Sequence, residues 1–107
     1  MIIQTSTFTR TDASVPWFND APEMQEYLAP RDAVRLAHPE LASTPVVTNS
    51  EDGLTYIAVQ TFPSLAAYDQ YVILLKQAIP GWPEGRNQYF KDHNQTIAVS
   101  VVDTFEG

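Results

Sequence analysis

Strand-like and helix-like stretches follow one another along this chain in the order βαββαβ, and that order leaves few folds open. Residues 2–10 alternate, with Ile3, Thr5, Thr7 and Thr9 on one side and Ile2, Gln4, Ser6, Phe8 and Arg10 on the other. Threonine-rich alternation of this kind reads as a strand. Residues 11–19 look like a turn, with Trp17 and Phe18 behind Pro16. Asp20 is placed to cap a helix that has Pro22 in its first turn and Glu23 near its positive end, and whose Met24, Tyr27 and Leu28 share a face. Pro30 interrupts it. A straight continuation would turn Arg31 and Arg35 toward the apolar side, whereas a break lets Val34, Ala37 and Leu41 turn inward, so two short helices are expected.

A second strand is expected over 44–49 and a third over 54–62, joined through Asp52-Gly53, a residue pair that tolerates positive φ. Ser64 is a good N-cap for a second helix running from 65 to about 79, with Leu65, Tyr68, Val72, Leu75 and Ile79 stepping by three and four. Tyr71, Leu74 and Ala78 widen that stripe beyond what one sheet covers, and Pro80-Gly81 ends the helix. A long connection through Trp82, Pro83, Gly85 and Tyr89 has room for a short helix near 87–92. On the last strand Ile97, Val99, Val101 and Phe105 oppose Ala98 and Val102.

This order predicts one α+β domain over residues 1–107, a four-stranded antiparallel sheet in spatial order 4-1-3-2 with its helices on one face. The third strand carries Tyr56, Ala58 and Phe62 on one side and Ile57 and Val59 on the other, so neither sheet face is plainly polar. A chain this short has no further layer to cover both, and a symmetric second copy is the economical source: a homodimer is expected.

Composition narrows the function. Hydrophobic residues make up 44% and charged residues 18%, the balance of a globular domain. The longest apolar run is 71–75, far short of a membrane span, and the first residues lack the pattern of a secretory signal. With no cysteine there is no disulfide framework and no thiolate site, which suits the cytoplasm. Net charge is −7 and the six basic residues are scattered along the chain, so no nucleic-acid partner is expected. No His/Asp/Glu spacing matches a metal site and nothing calls for a cofactor.

The run Asn49-Ser50-Glu51-Asp52-Gly53-Leu54-Thr55-Tyr56-Ile57-Ala58-Val59, followed by Phe62, Ser64, Ala67-Tyr68 and Tyr71, resembles the dimeric α/β-barrel superfamily, which includes antibiotic-biosynthesis-monooxygenase-like domains. The close match covers about a quarter of the chain and the element order nearly all of it. The resemblance implies a ferredoxin-like protomer whose sheets pack together in a dimeric α/β barrel. It allows cofactor-independent oxygenation, haem degradation, isomerisation or no catalysis. Neither His38 nor His93 is matched to the helix-borne histidine of haem-degrading members, and Trp82, lying after the second helix, is not matched to a catalytic tryptophan.

The topology gathers the first strand-to-helix loop, the central hairpin and the second helix-to-strand connection at one end. That rim would hold Trp17, Phe18, Glu51, Asp52, Trp82, Tyr89 and His93, a setting for an apolar or aromatic ligand. The plainer reading makes Trp17 and Trp82 caps on the core. His93 is the candidate general base, able to take a phenolic proton near neutral pH, and as a lone polar histidine it equally fits an ordinary surface position. Tyr68 is a candidate ligand contact or a core residue, and Ser64 a cap rather than a nucleophile. Two functions stay open. One is a dimeric binding or regulatory module for a small molecule or a protein partner. The other is a cofactor-independent monooxygenase or isomerase acting on an aromatic or polyketide-like compound.

Overall fold

The computed structural model describes residues 1–104, so the expected place of Phe105 on the Ile97 side of the last strand lies outside the described residues. Its strands are β1 (Ile2–Arg10), β2 (Val46–Asn49), β3 (Thr55–Phe62) and β4 (Gln95–Asp103); its helices are α1 (Gln25–Ala37), α2 (Leu65–Ala78) and α3 (Glu84–Asp92). The sheet order is β2-β3-β1-β4, with every neighbouring pair antiparallel, which is the expected ferredoxin-like arrangement. Register pairs Ile2 with Phe62 and Phe8 with Tyr56, so the even residues of β1 and β3 share the helix-covered face.

Local chemistry explains the joints. Gly53 at φ +72° closes the β2–β3 hairpin, where Asp52 accepts hydrogen bonds from the Ser50 hydroxyl and the Leu54 amide. Ser64 caps α2 by accepting from the Ala67 amide at 3.1 Å. Asp20 does not cap the first helix. The chain enters through a single 3-10 turn over Pro22–Met24 that follows Ala21, without a side-chain cap. At Gly85 in the first turn of α3, an added Cβ would lie 2.7 Å from the Tyr27 hydroxyl, so a larger residue there requires the Tyr27 ring to shift.

The expected break at Pro30 does not occur: α1 runs unbroken from Gln25 to Ala37 with Pro30 inside it. The missing N–H leaves the Glu26 carbonyl without its usual partner, a cost of about 3 kcal/mol in a helix interior. Packing on both sides of the proline offsets that cost, Leu28 being buried before it and Val34 packed against the core after it. The objection to a straight helix also fails, because the space that Arg31 and Arg35 face is an open cavity rather than packed core.

Two core clusters hold the layers together. One joins Phe8, Trp17, Phe18, Leu28, Tyr56, Tyr89 and Phe90 at the end where the long loops gather. The other joins Ile2, Phe62, Tyr71, Leu75 and Ile79 at the opposite end, and Tyr27 and Trp82 pack against both. The second helix buries Ala67, Tyr71 and Leu75, while Leu65, expected on the buried stripe, is 55% exposed. The outer sheet face carries Ile3, Thr5, Thr7, Ile57, Val59 and Val102, with Ile57 and Val102 exposed.

Candidate functional site

Between the two clusters the helix-facing side of the sheet changes character. Its ends carry Ile2 opposite Phe62 and Phe8 opposite Tyr56, but its middle carries Gln4 opposite Gln60 and Ser6 opposite Ala58. Ser6 and Ala58 are too short to fill the space toward the helices, and a cavity of about 620 Å³, also lined by Gln4 and Gln60, remains there. That is the size of small-molecule sites in general. Phe8, Phe18, Tyr68, Tyr71 and Trp82 form its aromatic walls, with Val72 and Leu75 on α2.

Four of the six basic residues line the same space: Arg31 and Arg35 from α1, Lys76 from α2 and Arg86 from α3. Among the described residues no carboxylate lines it. Arg31 donates through Nη1 to the Asn19 side-chain oxygen at 2.7 Å, and the Asn19 amide donates in turn to the Tyr56 hydroxyl. Asp32, at the outer side of α1, lies 3.4 Å from Arg31 and 3.5 Å from Arg35. The Arg86 guanidinium lies 5.2 Å from the centre of the Trp82 ring, and burial pulls it below its ordinary value.

Burial pushes the Tyr56 hydroxyl up to about 12, against the Asn19 hydrogen bond that lowers it. An acid favoured neutral in the fold contributes its full share of stability below the unfolded value near 10, and that share is lost as pH climbs toward 12. Stability should therefore fall by about 1.4 kcal/mol per pH unit across this window from this group alone. Tyr56→Phe should reduce the protons released on unfolding there by about one. Denaturant titrations at several alkaline pH values check this, and an unchanged slope would mean the hydroxyl ionises freely in the fold.

The residues singled out from sequence separate into two groups. Phe18, Trp82 and Tyr68 line the cavity. Trp17, Tyr89 and His93 sit outside its lining, in and beside the first core cluster. Trp17 packs edge-on against Tyr56 at 4.7 Å, with the Arg10 guanidinium 4.2 Å from its ring centre. Tyr89 donates its hydroxyl to the Pro16 carbonyl at 2.7 Å. The His93 ring stacks on Tyr89 at 3.9 Å and its Nδ1 hydrogen-bonds the Tyr89 carbonyl at 2.8 Å. A carbonyl only accepts, so Nδ1 carries the proton and Nε2 is the basic nitrogen. His38 pairs with Glu40 at 3.1 Å, far along the chain from these groups. Glu51 and Asp52 are exposed on the hairpin. Among the described residues no group of three or more potential ligands could hold a metal ion.

What sequence reasoning missed is the set of cations. They are scattered in the chain, but α1, α2 and α3 bring four of them to one space. Two signals were legible: Arg31 and Arg35 one helical turn apart on the inward side, and the small or polar run Gln4, Ser6, Ala58, Gln60 at core-facing strand positions.

No protein family and no curated protein matches this sequence. Solved structures do. A candidate antibiotic biosynthesis monooxygenase of Deinococcus radiodurans is similar with a TM-score of 0.57 at 14% identity, covering 100% of this chain and 95% of that one. A mutant of SnoaB, a cofactor-independent oxygenase of Streptomyces nogalater, gives 0.57 at 15% identity over 99% and 94%. A dimeric ferredoxin-like protein from an uncultured marine organism gives 0.51 at 12% over 97% and 96%. The protein thus has the ferredoxin-like fold of the antibiotic-biosynthesis-monooxygenase-like proteins, matched along nearly its whole length.

Proposed function

We propose that this protein is a small-molecule-binding domain whose ligand occupies the cavity between the sheet and the helices. The observation that carries the reading is the cavity itself, about 620 Å³ with aromatic walls, at the place where the core-facing strand residues turn small or polar. Phe18, Tyr68 and Trp82 are the proposed aromatic contacts. Trp17 and Tyr89 shape the adjoining core, and His93 stands beside it.

Trp82 lines the cavity and Trp17 does not, so one indole reports occupancy. Saturable quenching of fluorescence by aromatic or polyketide-like compounds is expected, and Trp82→Phe should remove most of it. Ala58→Phe, which places a ring on the cavity floor, should weaken binding by about tenfold or more, a loss of roughly 1.4 kcal/mol. A library without a single saturable response would overturn the reading.

A second reading is cofactor-independent oxygenation, favoured by the similarity in fold to SnoaB. Cations around a bound phenol or activated C–H group would stabilise its conjugate base, the form such chemistry needs. Dioxygen uptake with a compound that quenches Trp82 tests it, and a ligand that binds without consuming dioxygen or being converted favours the binding domain.

The same proposal includes a homodimer formed through the outer sheet face. Its β-branched rows suit packing against an identical copy, and the marine ferredoxin-like protein of similar fold is dimeric. No helix among the described residues is long and apolar enough to cross a membrane.

A further inference from the structure

We infer that the ligand of this cavity is an anion, an aromatic or otherwise apolar acid whose charged group is held by Arg31 and Arg35. The inference rests on the binding reading above and names its chemical class. A chain with a net charge of −7 has thirteen acidic residues against six basic ones, yet four of those six line one cavity and no carboxylate among the described residues does. Arg31, Arg35 and Arg86 are half-buried and Lys76 is exposed, and among the described residues only Asp32, from outside the cavity, offsets the arginine pair, so an anion inside it would add a second opposite charge.

The arginine pair on α1 is built rather than loose. Arg31 is braced on its inner side by Asn19, itself tied to Tyr56, and Asp32 draws both guanidiniums from the outer side of the helix. The side chains of Arg31 and Arg35 are 25% and 23% exposed, half-buried rather than free in solvent. The Arg35 Nε is buried and has no hydrogen-bond partner among the described residues. A buried N–H without an acceptor costs free energy, and a turn of the guanidinium toward a carboxylate or sulfonate in the cavity would satisfy it with a charge-assisted bond. Lys76 and Arg86 add positive potential from the other two helices, while Trp82, Tyr68 and Phe18 supply walls for the apolar part. Opposite character at two sides of one cavity defines the ligand: a flat apolar body with an acidic group directed at α1.

The test uses two fluorescent probes that share one scaffold, 8-anilinonaphthalene-1-sulfonate and the uncharged N-phenyl-1-naphthylamine. The sulfonate is expected to bind at least tenfold more tightly than the neutral compound, and its affinity should fall as salt rises while the neutral one's does not. Arg31→Gln and Arg35→Gln should each bring the two affinities together by lowering only the sulfonate's. Circular dichroism confirms that the variants fold, and the salt dependence of the unaltered protein stands without them. Ala58→Phe should weaken both probes alike. Equal binding of the two probes, insensitive to salt and to both arginine variants but lost in Ala58→Phe, would overturn the anion inference and leave the cavity reading intact. Tight sulfonate binding unaffected by Ala58→Phe and by the arginine variants would place the probe elsewhere and overturn it too. Failure of both probes to bind at all would remove the cavity reading together with it.

Discussion

Truncating Phe18 to alanine should destabilise the protein by about 3–5 kcal/mol, the range for a buried phenylalanine. Phe18 is 1% exposed, and its ring meets Tyr27, Trp82, Tyr89 and Phe90 with centroids 5.6–6.5 Å apart. Those four residues come from α1, the α2–α3 connection and α3, so one ring joins the loop after β1 to two of the three helices. Because Phe18 also lines the cavity, its removal enlarges a space that the neighbours already fail to fill, and collapse around it is difficult. Domains of this size are stable by about 5–15 kcal/mol, so the variant would lose a large share and its melting temperature should drop by roughly 12 °C or more. A thermal midpoint within a few degrees of the unaltered protein would show that this ring is not the central contact of the cluster.

Ile57→Lys should convert a dimer into a monomer with little effect on the protomer. Ile57 lies on the outer sheet face between Thr7 and Thr48 and is 38% exposed, so within one protomer a lysine there keeps its ammonium in water. In the proposed dimer the same charge would be buried against a second copy, a cost of several kcal/mol. Light scattering should therefore report twice 12.0 kDa for the unaltered chain and 12.0 kDa for the variant, with unchanged circular dichroism. A particle of 12.0 kDa before any substitution would remove the proposed pairing.

Most of the architecture was legible because it rests on local chemistry. Alternation over Ile2–Arg10 and Thr55–Phe62, the Ser64 cap and the positive φ of Gly53 each depend on residues adjacent in the chain. Pro30 is the converse case. Its local penalty is real, but an inward turn of Arg31 and Arg35 is costly only where inward means packed. Of the candidate contacts, Phe18, Tyr68 and Trp82 reach the cavity, whereas Trp17, Tyr89 and His93 share its end of the molecule without lining it. Topology places a loop at one end of a sheet; whether its side chain turns into a cavity or into the core depends on which neighbour fills the remaining volume.

Order of elements, strand alternation and turn positions were thus written in the chain itself, since period-two alternation and capping residues act within a few positions of one another. The cavity and its cations were not. Arg31, Lys76 and Arg86 lie on three different helices and meet only because two bulky clusters hold those helices off a sheet whose middle is Gln4, Ser6, Ala58 and Gln60. An open space left between two packed clusters is a property of long-range packing, and no local pattern of residues states it.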